Sequence, residues 1–266
     1  MSTQTSTHEK LYLYAVATKF DDKPLGPIGV DGGTVYAITK GRMAGVVSAV
    51  GEKLRPHRRH LAAHQDVLKR LMTKTDGVLP VAFGVVADGQ DAVRQILSRH
   101  ERVFRENLRR VSGRVEMGLR ITWDVPNIFE YFVATHPELR LARDRLLCGR
   151  GEPSHDDKIE VGRLFDRLLM EEREGHCDRV EEAIAPCCVE IKRNQPRNER
   201  EASNLACLVD RDRLAAFEAA VFEAATCFDS SFSFDYNGPW APHNFVNLEL
   251  DFRPSRAARH ANGNGS

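Results

Sequence analysis

CCVEIKRNQPRNEREASNLACLV, residues 187–209, decides how the second half of the chain folds. Its two ends, CCVEIK at 187–192 and SNLACLV at 203–209, are apolar and partly β-branched, and each has the length of a strand. The segment between them is nearly all polar and carries a proline, so it predicts a loop joining two strands. Downstream, Asp210 is placed as an N-cap for a helix carrying Leu214, Phe217, Val221 and Ala224 at helical spacing. FDSSFSFDY, 228–236, then sets Phe228, Phe232 and Phe234 at even separations, the period of a final strand. Upstream, VEMGLRITW at 115–123 alternates like a strand with one buried face, and Pro126 ends it. Short helical pieces fill 127–150. A long charged helix follows from Asp156 to Ile184, packed through Ile159, Val161, Leu164, Phe165 and Leu168, with EEREGH (171–176) exposed and Gly175 as a bend. The order β-α-β-β-α-β is that of a ferredoxin-like sandwich.

The first half reads in a similar way. LYLYAVA, 11–17, opens it as a strand, and DDKPLGPIGVDGG, 21–33, is a glycine- and proline-rich loop without phosphate-binding spacing. Residues 34–39 and 43–50 form a hairpin across Lys40, Gly41 and Arg42. A helix starting near Pro56 aligns Leu61, His64, Leu68 and Leu71 on one face. VLPVAFG, 78–84, suits a buried strand, and Asp88 caps a single long helix with the stripe Val93, Leu97, His100, Phe104 and Leu108. The expectation is an α/β (α+β) protein of two ferredoxin-like-type α/β sandwich domains, the second with an extended long helix. The limits are a flexible N-terminus at 1–10, a first domain at 11–112, a second at 113–253 with its helical segment at 127–185, and a disordered tail at 254–266.

Composition narrows the function classes. The 266 residues carry 38 basic and 38 acidic side chains, so no net field draws a polyanion, and neither a nucleic-acid nor an anionic-membrane partner is expected. The N-terminus lacks a basic-then-apolar signal, and no run of about 18 apolar residues occurs, which predicts a cytoplasmic protein. Six cysteines without a C-x-x-C pair read as small core residues.

Motifs that could carry chemistry have simpler explanations. His57, His60 and His64 share a helix face that a metal could use, but leucines surround them, and a packing face is the better reading. His176 and Cys177 are adjacent on a helix, about 100° apart, and cannot act as a dyad. Serine-hydrolase elbows, Walker loops, HExxH helices and GxGxxG turns are absent from the sequence. The basic clusters at 55–60 and 192–200 lack the interleaved aromatics that stack bases. No catalytic residue, cofactor or metal is therefore assigned.

Five ordered segments carry a resemblance to a known family: HQDVLKRLM (64–72), VLPVAFG (78–84, with Ala82 where arginine is common), RVEMGLRITWDV (114–125), LVDRDRLAAFEAAV (208–221) and YNGPWAPHNFV (236–246). Together they resemble the GvpF/GvpL family of gas vesicle proteins over about residues 10–252. The resemblance implies a non-enzymatic accessory protein of gas vesicle formation, found in the cytoplasm and at the vesicle. Its implied partners are the hydrophobic shell subunit and other vesicle proteins, which it meets as a chaperone, scaffold or minor structural component. In GPW, 238–240, glycine and proline suit a sharp turn after the last strand, and Trp240 either seals a core or anchors a partner. Gly238, Pro239, Trp240 and Phe245 are accordingly the candidate partner-binding residues. The alternatives are a ligand- or metal-binding regulatory module of ferredoxin-like fold, or an enzyme built on the N-terminal histidines.

Overall fold

The computed structural model describes residues 9–21, 23–51, 57–148 and 154–248. It divides into two compact units, one formed by the residues up to Arg114 with those from Trp240 onward, the other by Val115–Pro239. The domain expected at 113–253 thus gives up its last segment to the first unit, because Val246 and Leu248 pack against that unit's apolar core. The expected N-terminal flexibility and C-terminal tail lie almost wholly outside the described residues.

In the first unit, β1 (Lys10–Thr18) is central and runs antiparallel to β3 (Met43–Val50), beyond which lies β2 (Tyr36–Lys40). Gly41, at φ 60°, makes the tight β2–β3 turn. The other side of β1 is shared by two short strands, β4 (Val78–Pro80) and β5 (Val86–Asp88), so VLPVAFG is a strand only in its first part. Between them the chain steps out around a bulge at Tyr14, held by Val81 N–H to Tyr14 O at 2.9 Å and Leu13 N–H to Val85 O at 3.0 Å. Leu11 and Leu13 join the core under α2 (Gly89–Arg99) and α3 (Glu101–Val111), whereas Tyr12 and Tyr14 alternate to the opposite face and meet His64 of α1 (Arg58–Met72). Helices on both faces explain why LYLYAVA is apolar throughout.

Three local expectations change here. The long helix of the first half is two helices broken at His100 (φ −106°, ψ 16°), while Phe104 and Leu108 keep the stripe buried. Asp88 does not cap α2 with its side chain; its carboxylate pairs with Lys10 of the adjoining strand. Helix α1 turns His60, His64, Val67, Leu68 and Leu71 inward and leaves Leu61 exposed; His64 finds Tyr12 inside, and His60 finds Asp31 at the surface edge. The proposed start near Pro56 lies outside the described residues.

The second unit has the strand order β7-β8-β6-β9, with β6 (Arg114–Trp123), β7 (Glu190–Arg193), β8 (Glu201–Asp210) and β9 (Phe232–Trp240). Numbered from β6, this is 2-3-1-4, the order of a ferredoxin-like sheet. Helices α4 (Ile128–Thr135), α5 (Pro137–Cys148) and α6 (His155–Ile184) make the first crossover, and α7 (Leu214–Thr226) the second. Met117, Leu119, Ile121 and Trp123 of β6 point to the helices, while Arg120 on the opposite face pairs with Asp235 of β9. One face is apolar and the other polar, as the alternation predicts.

Ser154 starts α6 with a reciprocal capping box to Asp157, and the helix runs on through Gly175 without interruption. EEREGH is only partly solvated: Glu171, Glu174 and Gly175 are exposed as expected, but His176 is buried and Glu172 and Arg173 are half-buried, in register with Leu168, Leu169 and Val180. Pro186 sits in a 3-10 turn, Ala185–Cys187, so β7 begins only at Glu190. Phe228 precedes β9, and Gly238, Pro239 and Trp240 continue that strand instead of turning after it. Of the six cysteines only Cys207 is buried, and Cys148 and Cys227 are exposed, so the core reading holds for one.

Candidate functional site

The four residues proposed for partner contact lie on one short stretch with different exposures. Gly238 (φ 131°) passes so close to β6 that a Cβ would stand 2.7 Å from Met117 Sδ and 2.9 Å from Glu116 O, so only glycine fits. Pro239 is exposed and Trp240 half-buried, with Lys69 Nζ 4.7 Å above the indole ring centroid. Phe245 is 1% exposed, which places it inside and makes it a fastener of the segment; burying such a ring stabilises by roughly 1.5–3 kcal/mol. Of the four, Gly238 and Pro239 are exposed, Trp240 is half-buried and Phe245 is buried.

The N-terminal histidines have different surroundings: His57 is exposed, with its ring centroid 5.2 Å from that of His60. His60 Nε2 lies 2.8 Å from Asp31 Oδ1, where Arg59 also reaches at 3.2 Å. His64 Nδ1 lies 2.9 Å from the Tyr12 hydroxyl, which also accepts the Gly84 N–H at 3.1 Å. Tyr14 accepts the Val30 N–H at 2.7 Å and shares a 2.8 Å hydrogen bond with Ser48, so Ser48 is bound to a phenol and not to an imidazole. Burial raises the Tyr12 phenol to about 12, and burial together with His243 lowers His64 to about 4; both stay neutral near pH 7. His64 Nε2 and His243 Nε2 are buried without a hydrogen-bond partner. Among the described residues no group of three or more His, Cys, Asp or Glu could hold a metal ion. The cluster is a polar seam that joins α1, β1 and the loop around Asp31.

The second unit gathers polar residues that helical spacing alone did not single out. Arg173 of α6 donates to the carbonyls of Asn198 (2.9 Å), Glu199 (3.0 Å) and Glu201 (2.9 Å), tying the β7–β8 loop to the helix. One turn of α6 also contains Glu172, whose two oxygens face His136 Nε2 at 3.2 Å and His176 Nε2 at 3.3 Å. Glu172 and His176 stand four apart next to a leucine stripe, the one signal in the sequence that could have placed them inward.

Comparison with known proteins bears on both units at once. The model of the family described as gas vesicle synthesis protein GvpL/GvpF matches residues 10–247. Gas vesicle protein F of a Streptomyces species is 28% identical over 88% of this chain and 98% of its own length. Gas vesicle protein L1 of Halobacterium salinarum is 26% identical over 88% of this chain and 89% of its own. The crystal structure of GvpF from Anabaena sp. PCC7120 superposes with a TM-score of 0.80 at 25% identity, covering 90% of this chain and 99% of that one.

Proposed function

The chain belongs to the GvpL/GvpF family of gas vesicle synthesis proteins, and from that premise we propose that it serves gas vesicle formation as a non-enzymatic binding protein. Its partners are the hydrophobic shell subunit and other vesicle proteins, met in the cytoplasm and at the growing vesicle. The observation that carries this reading is the span of the family match, which takes in both units and the segment after β9. An apolar subunit awaiting assembly exposes surface that favours aggregation, and covering it transiently requires contact but no covalent chemistry.

Two surface features support the reading. Leu147, Met170 and Phe222 are 68%, 66% and 60% exposed on α5, α6 and α7, apolar side chains that the fold leaves to solvent. Pro239 and Trp240 add a rigid, partly aromatic contact at the end of β9, of the kind enriched among interface anchors. Among the described residues no helix is long and apolar enough to cross a membrane.

Co-expression with the shell subunit tests the proposal: the subunit becomes more soluble and co-purifies with this chain. Failure to associate with any vesicle component overturns it. Trp240→Ala removes the anchor, with an expected loss of roughly 2 kcal/mol in partner affinity and a small change in melting temperature. Unfolding of that variant would instead assign Trp240 to the core.

A further inference from the structure

Neutrality of the whole chain hides opposite charges on its two units. The first, residues up to Arg114 with those from Trp240 onward, carries 22 lysines and arginines against 13 aspartates and glutamates. The second, Val115–Pro239, carries 16 against 25. One unit therefore has nine positive charges in excess and the other nine negative, enough for each to set up a field of its own.

Each excess is concentrated on one helix. α3 has four arginines against two glutamates, and Arg102, Arg105 and Arg109 stand at steps of three and four residues, exposed on one face. Arg102 is paired with Glu106 at 2.9 Å, whereas Arg105 and Arg109 make no ion pair among the described residues. α6 has ten acidic side chains against five lysines and arginines. On it Glu171, Glu174 and Asp178 repeat the same steps, exposed on one face, and Glu182 extends the row by a turn. Arg167 reaches Glu171 at 3.1 Å and Arg193 reaches Asp178 at 2.6 Å, while Glu174 and Glu182 make no ion pair among the described residues.

The two rows match in length as well as in sign. Residues 102–109 and 171–178 each cover roughly 10 Å of helix, so three guanidinium groups can lie over three carboxylates, the pairing that suits their planar fork. A nucleic acid or other polyanion would meet the arginines but be repelled by the 25 acidic side chains of the second unit. A second copy of this chain supplies the complementary row at the same spacing and in equal number. Exposed ion pairs are worth little one by one, so such a contact draws on the field of the whole unit and yields to salt. We propose that copies of this chain associate head to tail, the α3 arginine face of one against the α6 carboxylate face of the next. This contact involves the chain alone and does not depend on which vesicle protein it meets.

Sedimentation velocity of the full chain tests it. In about 10 mM NaCl the sedimentation coefficient rises with protein concentration; in about 1 M NaCl, where the Debye length has shrunk from about 30 Å to about 3 Å, it stays constant. Arg105→Glu with Arg109→Glu, and separately Glu174→Arg with Glu182→Arg, each weaken association by about tenfold or more. Their melting temperatures hardly move, because all four side chains are exposed. An equimolar mixture of the two variants associates again, since the intact carboxylate face of the first meets the intact arginine face of the second. Arg140→Glu with Arg145→Glu changes the net charge as much but on exposed positions of α5, and leaves association in place. A sedimentation coefficient independent of concentration at low salt, association that persists in 1 M NaCl, a mixture that stays dissociated, or loss of association in the α5 variant would overturn the proposal. So would a monomer that binds a DNA duplex saturably, which would assign the arginine face to a polyanion.

Discussion

His64 occupies a place where its imidazole cannot take up a proton without losing its surroundings. It is 1% exposed, bonded through Nδ1 to Tyr12, and close enough to His243 for that ring to oppose charge on it. In the unfolded chain it binds a proton near 6.5, and in the folded protein only near 4. Between those values the unfolded state holds more protons, so stability is constant above the range and falls as the pH drops through it. From pH 7.5 to 5 the expected loss from this residue is roughly 2 kcal/mol. His176 and His243, also lowered by burial, act in the same sense. Urea unfolding at the two pH values checks this: His64→Gln should flatten the dependence, and an unchanged slope would refute the assignment. The spacing of His57, His60 and His64 was legible, and so was the packing role of His60 and His64, whereas His57 stays exposed. Their partners Asp31 and Tyr12 were not, because both come from segments far away in sequence, and an isolated helix pattern cannot name what covers it.

At the level of elements, α6 does more than span the second unit. Its residue Arg173 holds two carbonyls of the loop before β8 and that of Glu201 at the start of the strand, and the buried Glu201 side chain accepts the Arg197 N–H at 2.6 Å. Hydrogen bonds to a charged donor are worth about 1.5–3 kcal/mol apiece when buried and less where solvent reaches, so Arg173→Ala should cost about 2–3 kcal/mol in all. The same variant should make trypsin cut sooner at Arg197 or Arg200, and lysine should not restore protection because an ammonium lacks the planar fork. Equal cleavage rates in variant and parent would mean that the loop holds its own shape. The strand and helix order of the second unit was legible because its apolar periods switch cleanly between two and 3.6 residues. The inward turn of EEREGH was not. Five of its six residues are charged or histidine, and composition said surface where the stripe through Leu168, Leu169 and Val180 continues inward at Glu172 and His176. The break at His100 was equally hidden, since a stripe with steps of three and four residues persists across a local kink.

On the scale of the whole molecule, the chain leaves its first unit after Arg114 and returns to it at Trp240. The returning segment contributes Phe245, which is fully buried, and Val246 and Leu248, which pack on the core of Leu11, Leu13 and Leu97. Linear reading set one boundary near residue 113, where a helix gives way to a strand, but it could not see the return, because nothing in the composition of YNGPWAPHNFV tells which core it joins. A chain ended at Pro239 keeps all nine described strands except for the terminal Trp240 of β9, and lacks the apolar closure of the first unit. Each buried side chain withdrawn removes roughly 1.5–3 kcal/mol, a large share of the stability of a domain this size. The truncated chain has Trp123 as its only tryptophan, set in the second core, so its fluorescence follows that unit alone. In urea, the far-ultraviolet circular dichroism should begin to fall well before Trp123 fluorescence changes, whereas in the full chain the first unit should resist to higher urea. Coincident, unshifted transitions after truncation would show that the first unit closes without its returning segment.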